Sequence, residues 1–95
     1  MFNVEIKGLE SVSREMEDLV AASARLNGDI VKLNFDPLDP AAVRQAIGEM
    51  DRAVDSRVGT LIRSAGVRQL VREMKSKYRR KIEDIVRREK LRQSR

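Results

Sequence analysis

The sequence predicts an α+β fold: an N-terminal β-α-β unit followed by an antiparallel helical hairpin whose second helix is long and basic. Three observations predict it. Apolar residues alternate at Phe2, Val4 and Ile6 and again at Val31, Leu33 and Phe35, the period of a strand with one buried face. From Val43 onward the apolar residues instead recur at helical spacing. Finally, residues 63–95 hold thirteen Lys/Arg against four Asp/Glu, a net of +9, whereas residues 1–62 hold seven against eleven, a net of −4.

Taken in order, the first strand ends at Gly8 and a helix begins at Leu9, with Leu9, Val12, Met16, Leu19, Val20 and Leu26 on its core stripe. Glu10, Arg14, Glu15, Glu17, Asp18 and Arg25 are expected to face away. Asn27-Gly28 supplies the exit, because both residues tolerate the left-handed conformation that a C-terminal cap requires. The second strand, Ile30 to Phe35, then completes a β-α-β unit over residues 1–36, in which paired strands would be parallel with a right-handed crossover. Two strands leave two open edges, so the edge strand carrying Val31, Leu33 and Phe35 is expected to pair with another protomer or a partner protein.

Pro37 cannot stay in a ladder, and Asp39-Pro40 opens a helix: the Asp side chain accepts from first-turn amides, and Pro at the first position loses a donor that had no partner. Its stripe is Val43, Ala46, Ile47, Met50, Ala53, Val54, Val58, Leu61 and Ile62. Gly48 lies inside it, which suggests close approach by another backbone. The expected break is Ser64-Ala65-Gly66, with Gly66 as cap. A final helix follows from about Val67 to about Lys90, with Val67, Leu70, Val71, Met74, Tyr78, Ile82, Ile85 and Val86 inward. Residues 39–90 thus form the hairpin, and 91–95 a tail expected to fray.

The chain of 95 residues is read as a single domain. A domain this short buries only about 60 to 65% of its unfolded surface, so its stability margin is small and partners are expected to add to it. The absence of any long apolar run argues against a spanning helix or signal peptide, so no membrane partner is expected. With no Cys there is no disulfide framework and no thiolate metal site. With no His either, the commonest general base and the best nucleophile are both missing, and no Ser sits in a Gly-x-Ser-x-Gly elbow. The five Gly are too dispersed to cradle a phosphate. The reading is therefore not an enzyme, with no cofactor. Asp36 and Asp39 bracket a proline turn but lack the further oxygen ligands and loop glycine of an EF-hand, so turn and cap roles account for them. Asp51 and Asp55 read as a solvated polar face, and Met16, Met50 and Met74 as core fillers.

The basic run is the strongest functional signal. Arg68, Arg72, Lys75 and Arg79 follow one ridge of the last helix and Lys77, Lys81 and Arg88 another, with Arg80 and Arg87 adding to the charge. Three readings compete. The run is a solvated face helped by its place near a helix C-terminus and by pairs such as Lys77 with Glu73 and Arg87 with Glu83. It meets an acidic protein surface, or it contacts phosphates of nucleic acid. Aromatic residues make up only 3% of the chain, which leaves few platforms for stacking bases.

With Val4-Glu5-Ile6-Lys7-Gly8-Leu9 read as strand, glycine and helix start, the chain resembles small bacteriophage and prophage tail-component proteins, which open on a similar strand, a Gly-Leu step and a charged amphipathic helix. Phe35-Asp36-Pro37-Leu38-Asp39-Pro40, followed by Ala46-Ile47-Gly48-Glu49-Met50 and Val54-Asp55-Ser56-Arg57-Val58, is similar to short phage-encoded proteins. The resemblance implies a non-enzymatic assembly protein of the host cytoplasm, or one incorporated into the virion. It would act as a homo-oligomer or on a protein assembly partner. The alternative is a phage-encoded factor that binds nucleic acid, a nucleotide signal or a host defence protein through the basic helix.

Overall fold

A computed structural model describes the backbone of residues 7–94 and the side chains of residues 13–94. Three α-helices make the fold: α1 (Lys7–Arg25), α2 (Pro40–Val58) and α3 (Ala65–Gln93), with a 3-10 turn over Gly59–Arg63 between the last two. No strand occurs among the described residues, so the expected α+β class gives way to a helical one. The first expected strand, at Phe2, Val4 and Ile6, lies outside the described residues.

The second expected strand is absent for a geometric reason. The end of α1 lies beside the end of α2: the Arg57 guanidinium donates to the carbonyls of Arg25 (3.2 Å) and Asp29 (2.8 Å). From there the chain must return to Pro40 at the start of α2, roughly 26 Å away at 1.5 Å per residue. A helix of these eleven residues would rise only about 16 Å, so residues 29–39 must be partly extended, at roughly 2.4 Å per residue against about 3.3 Å for a full strand. They therefore run along the α2–α3 hairpin as a strap. The alternation is real but serves helices: Leu33 and Phe35 are half-buried against the core while Lys32 and Asn34 are exposed. Val31, expected on the buried face, is 39% exposed, and Ile30 packs inward instead.

The hairpin holds most of the core. Met50, Val54 and Val58 of α2 and Leu61 of the turn are buried against Val67, Val71 and Ile82 of α3. At the α2 N-terminus, Asp39 Oδ1 accepts from the Ala41 amide (3.0 Å) and Pro40 occupies the first turn, as its sequence predicts. Asp36 Oδ1 accepts from the Leu38 amide (2.9 Å), the expected turn role. The reversal lies earlier than Ser64-Ala65-Gly66. Gly59 caps α2 at φ +55°, a conformation that favours glycine, while Ser64 starts α3 and Gly66 lies in its first turn. Gly48 is not a backbone crossing: a Cβ there would meet only the Arg52 side chain. Helix α3, about 44 Å long, runs through Gln93, past the Lys90 end expected.

Among the residues of α1 whose side chains are described, those of its second half dock on this hairpin. Ala22 and Leu26 are buried at its closed end, and Leu19 approaches Gly66 of α3. The radius of gyration, 18.9 Å, is well above the roughly 12 Å of a compact chain this long, so the molecule is elongated. No helix among the described residues is long and apolar enough to cross a membrane.

Candidate functional site

The docking of α1 rests on a buried carboxylate. Asp18, expected to face solvent, is 5% exposed and points at the start of α3. Arg63 holds it with two parallel bonds, Nε and Nη2 each at 3.1 Å, and the Ser64 hydroxyl donates to its Oδ2. Because the Ser64 hydroxyl is engaged there, it makes no side-chain cap for α3, and Asp18 brings negative charge to that N-terminus instead. The Arg63 bonds, then the Ser64 bond, hold the Asp18 carboxyl below the usual carboxylate range against the opposing cost of burial. Arg25 adds a second clasp, Nη1 donating to the Val58 carbonyl (3.2 Å).

This clasp sets the orientation of α1. Asp18, Ala22 and Leu26, spaced one turn apart, face the hairpin, so the apolar stripe read from the sequence is rotated partly outward. Met16 is 63% exposed, Val20 69% and Leu19 37%. Met16 is therefore no core filler, whereas Met50 is buried and Met74 half-buried.

The basic residues of α3 divide into two sets. Several are consumed inside the molecule. Lys75 pairs with Asp55 (2.7 Å) and Arg79 with Asp51 (3.8 Å), so the acidic row of α2 meets a basic row of α3 in antiparallel register and is not merely solvated. Arg68 donates to the carbonyls of Ile62 and Arg63, closing the 3-10 turn. Arg80 reaches the Ser76 carbonyl, and Arg87 pairs with Asp84 rather than with Glu83. Glu73 accepts from Gln69, not from Lys77. Among the described residues, Arg72, Lys77, Lys81 and Arg88 make no ion pair; Lys81 Nζ sits 5.9 Å from the centre of the Tyr78 ring. Of these, Lys77, Lys81 and Arg88 share one ridge.

Beneath the strap lies a cleft of about 270 Å³. Met50, Val54 and Ile82 line it from the hairpin, Ile30, Leu33 and Phe35 from the strap, and Lys81 and Ile85 also border it. Sequence reasoning missed Asp18, Arg63 and Ser64 because their meaning depends on how α1 is rotated. One signal was present: Asp18, Ala22 and Leu26 follow the spacing of a contact stripe, and small Ala22 suits close helix packing.

The chain belongs to the YuaX family, whose family model matches residues 6–93 and so spans α1, strap and hairpin. No curated protein and no solved structure matches. Nothing among these comparisons links the chain to tail-component proteins.

Proposed function

We propose that this YuaX-family chain is a non-enzymatic assembly module that self-associates through the outward face of α1. The carrying observation is the exposure of Met16, Leu19 and Val20 together on one helix whose opposite side is clasped to the hairpin. Apolar side chains held in water on a fixed helix gain roughly 25 cal/mol per Å² when a second surface covers them.

Sedimentation velocity over a micromolar concentration series tests it. The mass is expected to rise above the 10.9 kDa of one copy, and Val20→Asp is expected to restore the single copy with helix content unchanged. A wild-type chain that stays single throughout, or an oligomer indifferent to Val20→Asp and Met16→Asp, overturns the proposal.

A second reading has its own observation. The ridge of Lys77, Lys81 and Arg88 has no internal carboxylate partner among the described residues, which suits an anionic polymer such as nucleic acid. Affinity for an oligonucleotide that falls steeply as salt rises supports it; negligible affinity at low salt removes it.

A further inference from the structure

We infer that the cleft between the strap and the α2–α3 hairpin binds a small anionic amphiphile, a single short acyl chain ending in a carboxylate. The inference is independent of assembly through α1 and rests on different residues.

The cleft lies where the strap passes over the hairpin without filling the space beneath it, with Ile30, Leu33 and Phe35 facing Met50, Val54 and Ile82 across it. Apolar surface therefore stays open to water, with Val31 39% and Ile85 47% exposed at the margin. A volume of about 270 Å³ lies at the small end of ligand clefts, which suits one slender chain rather than a two-chain lipid. The walls are aliphatic and aromatic, the chemistry that receives a hydrocarbon tail.

The charge of the ligand follows from the border. Lys81 and Asp29 are the charged residues lining the cleft. Asp29 lies beside Arg57, whereas Lys81 is just past Arg79, which faces Asp51. Asp51 and Arg57 are six residues apart on α2, so Asp29 and Lys81 border the cleft at different heights along that helix. The Lys81 ammonium rests over the Tyr78 ring with no carboxylate to neutralise it among the described residues. Lys77 and Arg88 lie on the same ridge, and the Asp84 carboxylate between Lys81 and Arg88 is engaged by Arg87 at 2.7 Å, so the charge left around Lys81 is net positive.

Isothermal titration of the full-length chain with decanoate, kept below its micelle concentration, provides the test, with methyl decanoate as the uncharged control. Saturable one-to-one binding of decanoate is expected, with the ester bound about fivefold more weakly, the range of a partly exposed ion pair. Lys81→Gln is expected to remove that difference, while Ile85→Asp abolishes binding of both; both positions are exposed enough that helix content should be unchanged. No saturable binding, equal affinity for acid and ester, or a Lys81→Gln chain that still discriminates overturns the inference. So does binding to anionic phospholipid vesicles without binding to free decanoate.

Discussion

In the α2–α3 hairpin the apolar stripes and the buried faces largely coincide, whereas in α1 they diverge. Met50, Val54 and Val67 are almost wholly buried, as their periodicity requires, yet Met16 and Val20 stand in solvent while Asp18 is buried. The cause is the difference in what each helix has to pack against. Helices α2 and α3 are joined by a short turn and share their length, so hydrophobic burial sets their rotation. In helix α1, among the residues whose side chains are described, a charged clasp to Arg63 and Ser64 sets the rotation instead. A polar contact thus holds an apolar face outward.

The largest expected effect contrasts two methionines. Met50→Ala removes a core side chain and should cost about 2 to 5 kcal/mol in urea unfolding, whereas Met16→Ala, measured at a concentration where the chain is a single copy, should stay within about 0.5 kcal/mol. Equal losses at the two positions would erase the distinction between the regions.

Next comes the clasp. Asp18→Ala is expected to free α1 while leaving the hairpin folded, read as faster amide hydrogen exchange over residues 18–25 than over 67–82. The wild-type clasp should also be acid-labile. Because its carboxyl is held below the unfolded value of about 3.9, the stabilisation is complete above that pH and disappears as pH falls through the folded value. Helix exchange in α1 should therefore accelerate below about pH 4 in wild type, and a chain with Asp18→Ala should lack that step. Simultaneous melting of α1 and hairpin would show one cooperative unit.

The smallest effect lies at the hairpin entrance. Asp39→Ala deletes the cap of α2 and should lower stability by about 1 kcal/mol, measured by thermal unfolding. A loss confined to α1 exchange would contradict the separation of the two regions.

The hairpin was legible in the sequence because its stripes, its Asp39-Pro40 start and its length are local signals. The strap was half legible. Alternation at Leu33 and Phe35 correctly marks a one-sided extended segment, but a period of two does not say whether the neighbour is a strand or a pair of helices. Gly66 attracted the turn because it precedes the longest helix, yet Gly59 at φ +55° is the residue whose backbone needs glycine. The basic run was legible as charge but not as allocation: Lys75 and Arg79 belong to α2's aspartates, leaving Lys77, Lys81 and Arg88 on the other ridge. Asp18 was assigned to solvent because a charged residue on an amphipathic helix usually belongs there, and its partners are 45 and 46 positions away in the chain.

The segment joining α1 to α2 has a consequence for how this family can vary. It holds a reserve: eleven residues can reach about 36 Å, while the length of α2 demands about 26 Å. One added turn of α2, about 5.4 Å, is met by straightening the connector, whereas two added turns exhaust that reserve and demand further residues. Length variants among related chains should accordingly need a matched connector only once α2 grows by about two turns, and a connector that grows alone would bulge away from the helices it covers.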